Sequence, residues 1–282
     1  MGLFKSIAVR SAAILAAFAG MSAPASANKP EPWQLGFQEA ATQNMSMITD
    51  FNNFLLYLMT AITVLVLGLM VYVMLRFNAK ANPNPSSTTH NTLVEVVWTV
   101  VPIIILVVIA IPSFRLLYFQ RDIPEADMTV KAVGYQWYWG YEYPDHGDFA
   151  FDSLMLSDDE RGDQPRLLAT DTAMVVPVDT TVRVVVTAAD VLHAFAMPAF
   201  GLKIDAVPGR LNETWFKAEK TGTFYGQCSE LCGIRHAFMP IRIEVVSKEE
   251  FAAWVKEAEA EYAQIESSDG MYAAASTTDA QR

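Results

Sequence analysis

The sequence predicts a two-helix transmembrane hairpin followed by an all-β sandwich with a C-terminal amphipathic helix. Three observations carry that expectation. Phe54–Phe77 and Leu93–Phe119 are long apolar stretches, with Glu95 the single acidic residue in either. Each is long enough to cross ~30 Å of hydrocarbon as a helix. Beyond Met128 the pattern changes to short alternating or β-branched runs separated by Gly, Pro and Asp, the mark of a sandwich. Ser247 and Glu250 then form an S-x-x-E capping pair ahead of Phe251, Trp254, Val255 and Ala258 at helical spacing. A hydrophobic content of 52% agrees with membrane segments.

Residues 1–27 read as a secretory signal. Lys5 and Arg10 make the positive start, Ser11 to Gly20 a short apolar run, and Ala25-Ser26-Ala27 a small-x-small cleavage site. The mature chain would begin at Asn28, with residues 28–53 a polar segment outside the membrane. The first span is 54–77. Residues 78–92 form a loop with Lys80 and no acid, behind Arg76, which the positive-inside rule places in the cytoplasm. The second span is 93–119. It contains Pro102 and Pro112, which membrane helices tolerate. Glu95 lies about one turn inside the cytoplasmic end, where a carboxylate needs water or a partner. The expected topology is two-pass in a bacterial inner membrane, with the N-terminus and the C-terminal domain periplasmic.

Residues 120–262 form the expected β domain. Its strand candidates are Met128–Val133, Trp137–Tyr143, Phe149–Leu156, Ala173–Val178, Val182–Thr187, Glu213–Lys217, Thr223–Gln227 and Ile241–Val246. Residues 157–171 read as a polar, exposed insertion. The helix runs from Lys248 to about Tyr262, and residues 263–282 lack apolar periodicity and read as a disordered tail.

The formal net charge is −11, and 27 of the 31 acidic but only 14 of the 20 basic residues lie from Arg121 onward. A strongly acidic half argues against a nucleic-acid partner. It suits a basic protein that docks by electrostatic steering, although an acidic surface also serves solubility.

The chemistry is concentrated in Cys228-Ser229-Glu230-Leu231-Cys232-Gly233-Ile234-Arg235-His236-Ala237-Phe238-Met239. This run holds both cysteines of the chain, one of its four histidines and a methionine, at spacings of four, four and three; His193 lies 35 residues upstream. Three readings compete. Cys228 and Cys232 could form a disulfide, as in exported proteins, but that leaves His236 and Met239 unexplained. Two Cys and two His could hold tetrahedral zinc, leaving Met239 spare. Copper is the third. A mononuclear blue-copper site takes one Cys, two His and a weak axial Met, one thiolate fewer than here. Two thiolates bridging two copper ions use every group. Copper with short punctuated strands suggests a cupredoxin-like sandwich.

Gly226-Gln227-Cys228-Ser229-Glu230-Leu231-Cys232-Gly233, with His236 and Met239, closely resembles subunit II of haem–copper cytochrome c oxidases. Gly134-Tyr135-Gln136-Trp137-Tyr138-Trp139-Gly140-Tyr141-Glu142-Tyr143 resembles that family's aromatic stretch, and Asp190-Val191-Leu192-His193-Ala194-Phe195-Ala196-Met197-Pro198 its upstream histidine block. The resemblance covers about residues 45–255. It implies a dinuclear copper centre, two copper ions held by His193, Cys228, Glu230 through its main-chain carbonyl, Cys232, His236 and Met239. It implies that the Glu230 carboxylate ligates magnesium or manganese shared with the catalytic haem–copper subunit I, and that haem lies only on that partner. It implies cytochrome c as donor, Trp137 as the residue where electrons come in, and Glu142, Asp145, Asp148 and Asp190 as docking acids. A glutamate aligned with Glu95 lies near the mouth of a proton path. The family more often has histidine than Tyr135, and often a further acid where Gly147 stands, which would weaken the docking charge slightly.

Oxygen chemistry cannot reside on this chain, because neither span contains a histidine to ligate haem. The expected function is electron transfer: an oxidoreductase subunit that takes electrons from cytochrome c and passes them to haem in a proton-pumping oxidase with further subunits. The alternatives are a copper-free structural subunit of a quinol oxidase, which typically lacks these ligands, and a membrane-anchored zinc or disulfide-stapled domain. The alternating aromatics Tyr135 to Tyr143 are expected to be about half core.

Overall fold

The computed structural model describes residues 28–262. The stretches expected to be a signal segment, 1–27, and a disordered tail, 263–282, lie outside the described residues. Helix α1 (Gln43–Arg76) and helix α2 (Thr92–Arg121) form the hairpin. Both satisfy the length and hydropathy of a membrane span, and none of the apolar window of either is buried within the chain. The apolar side chains of these windows are therefore left uncovered by the rest of the chain.

Helix α1 starts eleven residues before the apolar run. Hydropathy marks only the part in hydrocarbon, whereas the helix start is set by Thr42. Its side-chain oxygen accepts from Met45 N at 3.1 Å, so residues 43–53 are helical, not an irregular segment. At 34 residues the helix is about 50 Å long, well beyond the hydrocarbon thickness. Its end is tied to the β domain. Thr42 Oγ1 donates to Phe200 O at 2.9 Å, Asn44 Nδ2 donates to Gly201 O at 2.9 Å, and Phe119 of α2 packs on Trp215 with ring centroids 5.2 Å apart.

The β domain has ten strands: β1 (Met128–Tyr135), β2 (Tyr138–Tyr143), β3 (Phe149–Ser153), β4 (Met174–Pro177), β5 (Thr181–Ala188), β6 (His193–Met197), β7 (Leu202–Ala206), β8 (Asn212–Lys217), β9 (Gly222–Gln227) and β10 (Pro240–Val246). They form a five-stranded sheet in the order β3-β2-β1-β5-β8, a three-stranded sheet β4-β10-β9 and a two-stranded β6-β7. The parallel pairs β1/β5 and β4/β10 join strands distant in sequence. Alternation sets the core. Val130, Ala132, Trp139, Tyr141, Tyr143, Val182, Val184 and Val186 of the first sheet meet Met174, Val176, Phe224, Ile241, Ile243 and Val245 of the second, all buried. At roughly 1.5–3 kcal/mol per large apolar side chain, this layer outweighs any single polar contact in the domain.

Strands β6 and β7 were not among the strands expected from sequence. Apart from His193, Val191 to Met197 is apolar without alternation because β6 is buried on both faces, and such a run carries no period of two. Gly226 of β9 shows how closely β6 lies: a Cβ there would sit 2.1 Å from Ala196 O. Only glycine lets the backbone carrying His193 approach the strand that leads to Cys228.

Helix α3 (248–262) begins with the anticipated reciprocal cap, Glu250 N to Ser247 Oγ at 3.2 Å and Ser247 N to Glu250 Oε2 at 2.9 Å. It buries Phe251, Val255 and Ala258, and Trp254 packs on Tyr143 and Phe149. The 157–171 insertion is pinned to the sandwich, because Arg242 Nη1 donates to Thr170 O at 2.6 Å and Gln164 Oε1 at 2.8 Å.

Candidate metal centre

Four pieces of chain meet at one end of the sandwich: the turn between β1 and β2, the start of β6, the loop after β9 and the start of β10. They bring the predicted donors together. Donor atoms of His193, Cys228 and Cys232 lie within 4.8 Å of one another. The Cys228 and Cys232 sulfurs are 3.9 Å apart. Cys228 Sγ is 3.9 Å from His193 Nδ1 and 3.3 Å from Glu230 O. Cys232 Sγ is 3.6 Å from His236 Nδ1 and 3.4 Å from Met239 Sδ. His193, Met239 and both cysteines are buried, and His236 is half-buried. The Glu230 side chain is exposed, so its carbonyl and its carboxylate face different surroundings.

Both thiols are free, and 3.9 Å is almost twice a disulfide bond length. Electrostatics separate them. Burial pulls the Cys228 thiol up, but hydrogen bonds from His193 and nearby main-chain amides overcome this and hold it down at about 7. Burial and the neighbouring Cys228 thiolate push Cys232 up to about 12. The protein alone thus tolerates one thiolate here and resists a second. Two buried soft anions at this spacing need a cation, and thiolate, imidazole and thioether are the donors copper takes in soft sites. The donor set fits copper and uses every group. Zinc would use four donors and leave Met239 Sδ idle beside Cys232 Sγ.

His193 presents Nδ1 to the sulfur, while its Nε2 lies 2.9 Å from Asp190 Oδ1. Burial lowers the imidazole's proton affinity, but Cys228 and Asp190 outweigh it and its pKa is raised. Burial raises the Asp190 carboxyl, and its hydrogen bonds to His193, Val191 N and Gln136 N bring it below the ordinary carboxylate value. Gly134 makes room for the imidazole, since a Cβ there would lie 2.9 Å from the ring.

Trp137 sits in the β1–β2 turn, outside strand β2. It is half-buried, and its indole Nε1 donates to Cys232 O at 3.2 Å. The core half of the aromatic run is Trp139, Tyr141 and Tyr143; the outer face is covered by Tyr135 stacked on Tyr138 at 4.8 Å. Of the expected docking acids, Asp190 has its carboxylate engaged inward. Glu142 is paired with Lys131 at 2.9 Å. Asp145 accepts from Thr129 N at 2.6 Å, and it and Asp148 lie beyond the far end of the β1–β2 ladder, some 20–25 Å along the strand from Trp137. The structure therefore does not gather the four acids around the indole. Glu95 accepts from Asn91 N at 3.3 Å in the first turn of α2, a capping contact distant from the metal centre.

Sequence reasoning missed Gln136, whose Nε2 donates to Cys232 O at 2.8 Å, and the spacer glycines 134, 226 and 233. An isolated glycine inside a strand pattern is a signal of close approach; nothing in the sequence says what approaches. No such signal marks Gln136.

Residues 128–246 match the family model described as cytochrome c oxidase subunit II, periplasmic domain, and residues 30–116 match its transmembrane domain. The chain is 58% identical over 81% of its length to a probable cytochrome c oxidase subunit 2 of Rickettsia bellii, covering 86% of that protein. It is 49% identical to the cytochrome c oxidase subunit 2 of Cereibacter sphaeroides, with 82% of each chain covered. The crystal structure of the periplasmic domain of subunit II of the Bradyrhizobium japonicum cytochrome oxidase matches at 65% identity and TM-score 0.48, over 50% of this chain and 99% of that one.

Proposed function

The chain belongs to the cytochrome c oxidase subunit II family, and from that premise we propose that its donor cluster holds two copper ions and relays electrons from cytochrome c to haem on the catalytic subunit. The membership makes it a subunit of an oxidoreductase complex with two membrane helices. The quinol-oxidase alternative finds no support, since the relatives are cytochrome c oxidase subunits and the ligand residues are all present.

One observation carries the copper reading: two free, buried cysteines 3.9 Å apart, with two imidazoles, a thioether and a main-chain carbonyl converging on them. Held there, copper would supply one-electron chemistry, with Cys228 and Cys232 giving the two thiolates. The chain's residues supply the rest. His193 and His236 would supply imidazole nitrogens, and Met239 a thioether. The contact from Asp190 to the buried His193 keeps the imidazole oriented with Nδ1 toward the Cys228 sulfur. Burial excludes water and limits solvent reorganisation.

Trp137 is the residue through which electrons arrive. It is half-exposed and hydrogen-bonded to the carbonyl of a ligand residue. Glu142, Asp145 and Asp148 contribute to a long-range acidic field that attracts a basic donor; the inward carboxylate of Asp190 makes it chiefly a support for His193. Glu230 offers its exposed carboxylate to a magnesium or manganese ion at the interface with the catalytic subunit, and Glu95 lies at the mouth of a proton path. Residues 1–27 are a cleaved export signal, and the β domain is periplasmic.

The test is elemental analysis and electron paramagnetic resonance of the purified oxidase. Two copper ions per subunit II beyond the copper of the catalytic subunit, with a mixed-valence signal, are expected. One copper, zinc alone, or a Cys228–Cys232 disulfide in active protein overturns the reading.

A further inference from the structure

We propose that Gln136 is a positioning residue for the metal centre, holding the Cys232 carbonyl with its side chain and the carboxylate partner of His193 with its main chain. This rests on the copper reading above.

The bracket is continuous. Gln136 N donates to Asp190 Oδ2 at 2.7 Å, and Asp190 Oδ1 lies 2.9 Å from His193 Nε2. Gln136 Nε2 donates to Cys232 O at 2.8 Å. One residue thus reaches both sides of the site, 96 residues from Cys232 and 54 from Asp190 in sequence.

Each arm removes a freedom that the ligands would otherwise keep. Asp190 Oδ1 also accepts from Val191 N at 2.6 Å, so with Gln136 N on Oδ2 both carboxylate oxygens are fixed and the group cannot rotate away from the imidazole. Cys232 lies in an irregular loop with no ladder partner. Its carbonyl is held by Gln136 Nε2 and by the longer 3.2 Å bond from Trp137 Nε1. Movement of that peptide would change the 3.9, 3.6 and 3.4 Å separations of Cys232 Sγ from Cys228, His236 and Met239 together. A second observation shows that the approach is built in. Gly233 follows Cys232 with φ +122°, and a Cβ there would lie 3.2 Å from Gln136 Nε2 and 3.1 Å from Trp137 Cζ2. The loop is shaped to admit these two side chains.

The experiment uses the purified oxidase complex carrying full-length Q136M or Q136K. Methionine keeps the length and loses the donor; lysine keeps a donor. Both retain the main-chain N–H to Asp190. The readouts are the copper absorption and resonance spectra and the rate of copper loss to an excess of a copper chelator. Q136M should shift the spectra and release copper about tenfold faster, the factor that one net hydrogen bond supplies. Q136K should lie closer to wild type on both. Assembly of Q136K but not Q136M would have the same meaning. Unchanged spectra and release in Q136M overturn the proposal. So do equal defects in both variants, including failure of both to assemble, because a retained donor should rescue. A wild-type complex without the dinuclear signal would instead overturn the copper reading itself.

Discussion

Replacing Trp137 by Phe separates electron transfer from docking and from folding. The indole donates one hydrogen bond, Nε1 to Cys232 O at 3.2 Å, and the ring is only half-buried. Phe keeps most of the ring and changes no charge. The carbonyl keeps its 2.8 Å bond from Gln136, so no buried acceptor is orphaned. The stability cost should then be that of one neutral hydrogen bond, ~1 kcal/mol, or about 3 °C in the melting midpoint of a domain of this size. Affinity for the donor should change by less than twofold, because rim charge is untouched. Electron transfer within the preformed complex should slow by about tenfold or more, at least ~1.4 kcal/mol on the barrier. Flash-induced transfer from a photoexcited donor, at matched copper content, measures it directly. A normal intracomplex rate in W137F would retire the assignment and leave Trp137 as packing.

The other expectations follow from the same geometry. Glu142→Gln should weaken donor association at low salt, with the deficit fading as the Debye length shortens to about 8 Å near 0.15 M; association rates across a salt series check this, and a salt-independent deficit would contradict it. Gly226→Ala should be among the most damaging single changes, because the new methyl meets backbone at 2.1 Å and overpacking costs ~1–3 kcal/mol or more; a lowered melting point together with copper loss is expected, and normal copper content would refute the link between β9 and His193. In metal-free, reduced protein, thiolate absorbance should appear in one step near pH 7 from Cys228, lowered from its ordinary value, while Cys232, raised to about 12, stays protonated below pH 10. Two thiols titrating together near pH 9 would contradict this. Reporter fusions should place residue 84 in the cytoplasm and residue 130 in the periplasm, and an inactive alkaline phosphatase at 130 would reverse the topology.

Local chemistry determined much of this protein without help from the fold. The two spans are legible because each must present an almost unbroken apolar surface to lipid, and uninterrupted hydropathy needs no tertiary context. Eight of the ten strands are legible, most because a sheet with one covered face alternates, and Met174–Pro177 because a short β-branched run stands between turn residues. The Ser247–Glu250 cap is legible because its partners are three residues apart. The donors of the metal loop are legible because ligand type is a property of the side chain, and His236, Cys232, Cys228 and Met239 sit within twelve residues. Tertiary structure decided what depends on distance through space. Strand β6 escaped because a strand buried on both faces has no period. Helix α1 extends past its apolar run because a cap, and not hydropathy, begins it. Asp190 reads in sequence as one more surface acid, and only the fold turns its carboxylate onto His193. Gln136 has no marker at all, since an amide becomes a positioning group only when β1, β6 and the loop after β9 converge and bring a carbonyl 96 residues away within 2.8 Å of it.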